Sequence, residues 1–482
     1  MINLRKTKIV CTLGPTTDDY KTLAKLCSSG MNVARFNFSH GDYEQQGKRI
    51  ELFKAVREEL NLYIPMMLDT KGPEIRIGTF KDKKINLVNG KKFILSHSEC
   101  EGTEEKVFVN YPFLANDVQV GTTILINDGL IELEVLETPD KDVKCKVIHG
   151  GPLTDRKSVN IPGLKLNLPL LTKKDEEDII FGIQNGFDII AASFVRKAED
   201  ILAIKEILNT HNASHIKIIA KIENHEGVEN FDQILDVADG IMVARGDLGV
   251  EIPIEQVPLL QKEFVQKCNR KGKMVIIATQ MLESMIANPR PTRAEVSDIA
   301  NAIFEGTSAI MLSGETASGN FPIECVKTMH TIAESVENNA NYWERFSHRD
   351  YSYLIDSRPN LIVGHALCEV AMQVKASAIF SLSSHGNTPL ALASFQPECP
   401  IYAITHDIHT ASQLNLTWGV TPILVNYSAS PEEMIAQGVE KAKEYGYVHV
   451  GDTVVIGGSD THDKANMLGF QSNKTLGGIY VI

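Results

Sequence analysis

Short apolar runs alternate along most of the chain with longer stretches in which apolar residues recur at helical spacing. Eight such runs stand out: Lys8–Gly14, Met31–Phe38, Ile64–Thr70, Phe187–Val195, Ile216–Glu223, Gly240–Gly249, Lys273–Gln280 and Ser308–Thr316. Each is too short for a typical helix and carries Val, Ile, Ala or Met on both faces, the pattern of a strand covered on both sides. Amphipathic segments such as Glu44–Leu60, Lys197–His211, Ile254–Lys271 and Ala294–Phe304 lie between them. Eight strands each followed by a helix predict a closed (β/α)8 barrel. An open doubly wound sheet has a similar alternation. However, no G-x-G-x-x-G follows the first run, and no G-x-x-x-x-G-K-[ST] occurs anywhere in the chain.

Two intervals depart from this rhythm. Between Thr70 and Lys173 the helical period gives way to alternation at a spacing of two, over Lys84–Val88, Lys92–Ser96, Lys106–Asn110, Thr122–Asn127, Leu130–Leu136 and Val143–His149. The dipeptides Asn89-Gly90 and Asp128-Gly129 punctuate these strands as hairpin turns. A β-rich insertion at this point stands over the C-terminal rim of the barrel and is a candidate lid. After Trp343, strands Ala378–Ser383, Ile401–Thr405, Thr421–Val425, Thr453–Ile456 and Gly478–Ile482 alternate with helices Asn360–Val374, His409–Leu416 and Pro431–Tyr445. They predict a separate open-sheet α/β domain reached through a linker at Arg349–Pro359. The expected division is therefore a barrel over 1–70 and 170–343, a lid over 71–169 and a C-terminal domain over 344–482.

Composition narrows the class. The 482 residues are 43% hydrophobic and 23% charged, ordinary proportions for a globular chain. A formal net charge of −13 argues against nucleic acid as the partner, so an anionic small ligand needs a local basic pocket. The eight cysteines show no Cys-x-x-Cys and no metal spacing, and fit reduced thiols in a reducing compartment. No apolar run approaches the ~20 residues that span a bilayer, and the start of the chain reads as a buried strand rather than a signal peptide. The expected location is cytoplasmic, with no membrane.

In a (β/α)8 barrel the chemistry gathers at the C-terminal ends of the strands, and polar residues do collect there. The second run holds Arg35, Asn37, Ser39 and His40; the third ends in Asp69, Thr70 and Lys71; the fifth in Lys221 and Glu223. The sixth closes on Arg245, Gly246 and Asp247, the seventh on Thr279 and Gln280, the eighth on Ser313, Glu315 and Thr316. Any one of these alone reads as a helix cap or turn residue; six ends facing one mouth read as a site. Glu223 and Asp247 close adjacent strands, and two oxygen ligands without His or Cys suit Mg2+ or Mn2+ rather than zinc. A pair of rim carboxylates in salt bridges is the plainer alternative. Lys221 lies two residues before Glu223 and points the same way, placed to stabilise an oxyanion or a phosphoryl oxygen, or simply to act as a counter-ion. Arg35 offers the planar fork that phosphate prefers. Asn37, Ser39, Asp69 and the Thr70 carbonyl form an all-oxygen set of low charge that suits a monovalent cation. The turn at Gly246 and Asp247 exposes amides at a helix start, a natural carboxylate site, and Thr279 adds a hydroxyl at the same mouth.

Several segments resemble the signatures of pyruvate kinases: Asn37–Gly41, Asp69–Arg76, Lys221–Asn224, Met242–Gly249, Ala278–Met285, Pro289–Glu295 and Leu312–Ala317. The likeness runs in order from about Arg5 to the C-terminus and weakens after residue 340. It implies transfer of the phosphoryl group of phosphoenolpyruvate to ADP, giving pyruvate and ATP at the end of glycolysis, with Mg2+ (or Mn2+) and K+ as cofactors. By that resemblance Lys221 contacts the transferring phosphoryl group and stabilises the enolate, and Arg35 binds phosphate. Glu223 and Asp247 hold the divalent ion, while Asn37, Ser39, Asp69 and Thr70 hold K+. Gly246, Asp247 and Thr279 receive the substrate carboxylate, with Thr279 also near the route of the methyl proton; Arg76 and Lys157 meet the nucleotide; Ser313 and Glu315 resemble a proton relay. Glu74 stands where a glutamate accompanies K+ dependence.

In the C-terminal domain, Ser383-Ser384-His385-Gly386-Asn387-Thr388 occupies the place of a hydroxyl-rich loop that binds a phosphorylated allosteric activator in regulated members. His385, Leu390 and Gln396 depart from the family's usual serine and arginines, and Ser158 from a usual glycine. An ordinary turn and helix cap is the alternative for this loop. The resemblance also implies a homotetramer, and the chain is expected to lack the extra C-terminal phosphohistidine-like domain of some bacterial members. Two other classes were weighed. A differently specific barrel enzyme needs neither the Asn37–His40 cation set nor the β insertion. A non-catalytic phosphoenolpyruvate-binding protein predicts a broken metal or lysine position, and none is broken.

Overall fold

A computed structural model describes residues 5–459 and 475–482. Residues 1–4 and 460–474, which fall within the barrel and C-terminal assignments above, lie outside the described residues. The eight apolar runs fold into eight parallel strands: Lys8–Leu13, Val33–Asn37, Met66–Asp69, Ile189–Ala192, Lys217–Ile222, Gly240–Ala244, Met274–Ala278 and Ala309–Leu312. They pair in sequence order and close, the eighth against the first, with Lys8 opposite Ala309 and Val10 opposite Val33. Nearly every strand residue is buried because helices cover the outside and side chains fill the inside. Capped helices return the chain from strand to strand. Asp42 accepts from the Gln45 amide ahead of the helix Tyr43–Glu59, and Thr172 and Thr292 form capping boxes with Asp175 and Glu295.

The sixth and eighth runs are shorter as strands than their apolar length implies. Gly240–Ala244 stops where the helix Arg245–Glu251 begins, and Ala309–Leu312 stops before the turn of helix Gly314–Ala317. Apolar residues such as Leu248 continue the run by packing the first helical turn into the same core. This is the ambiguity between buried strand and buried helix that periodicity cannot resolve.

The insertion is β-rich, with a six-stranded sheet beside a two-stranded one and a core of its own. Asp128-Gly129 joins the antiparallel pair Thr123–Ile126 and Ile131–Glu137, as a hairpin turn should. Asn89-Gly90 does not. Lys84–Leu87 pairs instead with Gly151–Thr154, and Lys92–Ser96 pairs with Val143–His149. The reason lies elsewhere in the chain: the Asn89 side chain accepts from the Gly150 amide, and the Gly90 amide donates to the Val147 carbonyl. The turn is therefore pinned to a distant segment and sends its two strands into different sheets. Two further strands, Gly151–Thr154 and Val159–Asn160, complete the lid. The C-terminal region forms a five-stranded sheet, parallel except for the edge strand Thr475–Val481. Among the described residues no helix is long and apolar enough to cross a membrane.

Candidate active site at the barrel mouth

The side chains singled out at the strand ends meet. Arg35, 7% exposed, donates from Nε to Asp69 Oδ2 at 2.6 Å and from Nη1 to the Thr12 hydroxyl at 2.7 Å. Asp69, on the neighbouring strand, also takes the Lys221 ammonium at 3.0 Å. Lys221 reaches Glu223 Oε1 at 3.1 Å, as two residues on one face of a strand should. Glu223 is fixed from its other oxygen by the Phe194 amide at 2.6 Å. All four charged groups are almost wholly buried.

Their electrostatics follow from that crowding. Burial works against the Lys221 ammonium, but Asp69 and Glu223 outweigh it, so the lysine is held charged with a raised pKa. Burial likewise pushes against the Asp69 carboxylate, yet Arg35 and Lys221 hold its pKa below the ordinary value. Glu223 goes the other way: burial, helped by Asp247 and opposed by Lys221, pushes it up to about 7. Asp247 is raised as well, mainly by burial. These two carboxylates sense each other and are left short of positive charge. That is the condition in which a divalent cation is stabilising. Among the described residues no cluster of three or more His, Cys, Asp or Glu is arranged to hold a metal.

The opposite wall is built by backbone geometry. Thr279 and Gln280 sit at φ 70° and 54°, a conformation that costs a β-branched residue strain and marks functional sites. It turns the Thr279 hydroxyl onto the Gly246 amide at 2.7 Å, at the N-terminal turn that carries Asp247. Beside it, the Glu315 carboxylate accepts from the backbone amides of Ser313 and Leu282, at 2.7 and 3.0 Å. Glu315 thus orders the turn that carries Ser313.

The oxygen set lies on the adjoining second and third strands, with Asn37 opposite Asp69. Asn37 Oδ1 accepts from the Ser39 amide at 3.0 Å, and the Thr70 carbonyl accepts from the Ser193 hydroxyl at 2.6 Å. Glu74 and Arg76 pair at 2.7 Å on the way into the lid, and burial raises the Glu74 pKa. Arg76 bridges to Ser158, next to Lys157, so the two residues assigned to the nucleotide lie on adjacent connectors. The lid touches the barrel where Asn160 donates to Glu251 at 2.7 Å, over a cavity of about 70 Å3 that Glu74, Arg196 and Asp247 also line.

Sequence reasoning passed over Ser193, Phe194 and Thr12, each of which holds a charged side chain or a cation ligand in place. Neither Ser193 nor Thr12 carried a signal of its own, each being a single hydroxyl in an apolar run.

The residues 383–388 lie far from this mouth, at the other face of the barrel. Gly386, at φ 77°, donates to the Ser383 hydroxyl at 3.0 Å, and Asn387 starts the helix Asn387–Ser394. His385, Gly386 and Asn387 line a cavity of about 230 Å3, and Lys205, Lys217, Lys273 and Arg358 face them across it.

Comparison with known proteins agrees with this arrangement. The family model "Pyruvate kinase, barrel domain" matches residues 4–326, and "Pyruvate kinase, alpha/beta domain" matches residues 362–469. The chain is 48% identical to a pyruvate kinase of Bacillus licheniformis and 49% identical to one of Geobacillus stearothermophilus; each match spans 94% of this chain and 77% of the relative. It is 46% identical to a pyruvate kinase of Clostridium acetobutylicum over 94% of this chain and 96% of the relative.

Proposed function

The chain belongs to the pyruvate kinase family, and from that premise we propose how its barrel mouth works. It catalyses transfer of the phosphoryl group of phosphoenolpyruvate to ADP, giving pyruvate and ATP. The observation that carries the residue assignment is Lys221, a buried ammonium held between Asp69 and Glu223. Arg35 and Lys221 bind the phosphoryl oxygens, and Lys221 then faces the enolate oxygen left behind. The Gly246 and Asp247 amides and the Thr279 hydroxyl hold the substrate carboxylate, which fixes the enolate for protonation. Ser313, on the turn ordered by Glu315, delivers the proton to the methylene carbon. Arg76 and Lys157 receive ADP at the lid connectors, and lid closure excludes water that would otherwise take the phosphoryl group.

Glu223 and Asp247 would hold Mg2+ or Mn2+, and Asn37, Ser39, Asp69 and the Thr70 carbonyl would hold K+. The donor sets fit: two buried carboxylates whose pKa values burial raises, and an all-oxygen set of low charge. When bound, the two ions neutralise charge on the phosphoryl group in transit. The non-catalytic and differently specific readings are not favoured, because no metal or lysine position of the mouth is broken.

We assign the protein to the cytoplasm and expect a homotetramer. Residues 383–388 are proposed as the seat of a phosphorylated activator. There the barrel-side Lys205, Lys217 and Lys273, with Arg358 of the linker, supply positive charge that the loop's own Leu390 and Gln396 do not. The domain limits remain 1–70 with 170–343, 71–169 and 344–482.

The test of the site is pyruvate formation from phosphoenolpyruvate and ADP with Mg2+, in K+ against a tetraalkylammonium salt. Turnover that requires K+ is expected, consistent with Glu74. Full turnover without potassium or sodium would overturn the monovalent site, and no turnover in K+, even with sugar phosphates or AMP added, would overturn the catalytic assignment.

A further inference from the structure

The fourth barrel strand, Ile189–Ala192, ends on Ser193, a residue only 8% exposed that has no role in the assignments above. Its hydroxyl lies 2.7 Å from Lys221 Nζ, 2.6 Å from the Thr70 carbonyl and 3.1 Å from Asp69 Oδ1. A hydroxyl has one proton and two lone pairs. An ammonium can only donate, so Ser193 accepts from Lys221 and gives its own proton onward, and the shorter of the two acceptor contacts is the Thr70 carbonyl. The Ser193 amide returns to the Thr70 hydroxyl at 3.1 Å. Residues 70 and 193 are thus clasped twice.

The three N–H bonds of Lys221 are all taken: by Asp69, by Glu223 and by Ser193. Together they fix the direction of its Nζ, and Ser193, the neutral one of the three, keeps one N–H aimed at the mouth. The next residue, Phe194, stands at φ 54° and gives its amide to Glu223. Gly72, at the root of the lid, presses on both: a Cβ there would fall 2.8 Å from the Phe194 ring and 3.0 Å from Ser193 Cβ.

We propose that Ser193 is a positioning residue for phosphoryl transfer, joining the Lys221 ammonium and the Thr70 carbonyl in one hydrogen-bonded chain and so tying the transfer lysine to the monovalent-cation shell. This rests on the assignment of Thr70 to K+ made above. A hydroxyl serving the fold alone would need one partner, whereas both partners of Ser193 are groups of the site. Lys221 does not depend on it for burial, since it keeps both carboxylates.

The experiment compares Ser193→Ala and Ser193→Thr with the parent enzyme. Half-saturating K+ is read from turnover and, independently, from the rise in Tm as K+ is added with Mg2+ and phosphoenolpyruvate but no ADP. In Ser193→Ala, half-saturating K+ rises about tenfold in both readouts and kcat falls about tenfold or more, as loss of one hydrogen bond to a charged group allows. The KM for ADP stays unchanged, and Ser193→Thr restores the K+ midpoint. A Ser193→Ala midpoint within about twofold of the parent in both readouts would overturn the proposal, since that is within the effect of an ordinary side-chain change. If the alanine variant does not fold, Ser193→Cys, similar in size but a poor hydrogen-bonding group, is judged by the same two midpoints. A parent indifferent to K+ sinks the cation assignment and the tie together; a K+-dependent parent with an unmoved variant sinks the tie alone.

Discussion

The two ends of the barrel are built on opposite rules. At the mouth, side chain meets side chain: Arg35 with Asp69, Lys221 with Asp69 and Glu223, all nearly dry. At the base, where the C-terminal domain docks, side chains meet backbone. Lys8 donates to the Val420 carbonyl at 2.7 Å, Gln413 to the carbonyls of Asp188 and His215, and the Gly419 amide to the Lys6 carbonyl. Leu416, fully buried, joins the apolar cluster that fills the barrel from below, with Leu390 packed against it. Charged contacts in a dry site serve chemistry and strain the fold; backbone and apolar contacts serve docking. Perturbing each end should therefore separate activity from stability.

The largest effect is expected at the mouth. Lys221→Met keeps the length of the side chain and removes its charge. Phosphoryl transfer should fall about a thousandfold or more, the scale of losing a preorganised charge at the reacting group. The barrel stays folded because Arg35 still pairs with Asp69. Steady-state ATP formation and a thermal melt on the same sample check both halves. Near-normal turnover would remove Lys221 from its role.

The base should behave in reverse. Leu416→Ala deletes a buried side chain from the floor of the barrel and should cost about 2–4 kcal/mol. Urea unfolding of the intact protein measures this, with loss of the C-terminal domain's near-ultraviolet signal. At a temperature where the variant is folded, kcat should stay within about twofold of the parent, as for substitutions far from the chemistry. A kcat loss comparable to that of Lys221→Met would mean that the ends are not separable.

The same contrast explains what the sequence revealed. Chemistry at the mouth demands particular residue types, so Arg35, Lys221, Glu223 and Asp247 interrupt apolar strands and can be seen as interruptions. Docking at the base uses carbonyls, which every residue offers, so nothing in Gln413 or Val420 announces a partner some two hundred to four hundred residues away. The barrel was legible from period and length. The Asn89-Gly90 pairing was not, because its turn is fixed by Val147 and Gly150, which no local rule inspects. Ser193 was missed for a related reason: a serine between Ala192 and Phe194 acquires meaning only once Lys221 and Thr70 are placed beside it.

The base also carries a charged contact between the barrel and the docked domain, and it gives the smallest and most specific prediction. His409, on the docked helix Ile408–Leu414, faces Asp188 at 3.5 Å, and its ring lies tilted, 4.6 Å from that of His215. The bond to Asp188 raises the His409 pKa against the effect of burial, with Asp407 adding to the rise and Arg57 opposing it. Burial, then the neighbouring His409, lowers that of His215. The signs oppose. A raised histidine pKa contributes stability that is complete below the unfolded value of about 6.5 and is lost as pH rises through the folded value. The lowered pKa of His215 costs stability as pH falls below the same value. Replacing His409 by Gln removes the favourable member and leaves Asp188 to Arg57, 4.0 Å away. The His409→Gln variant should therefore melt about a degree or two below the parent near pH 6 and level with it near pH 8, the small size expected of half-exposed groups. A deficit that grows toward high pH would reverse the sign and show that Asp188 is not the partner that matters.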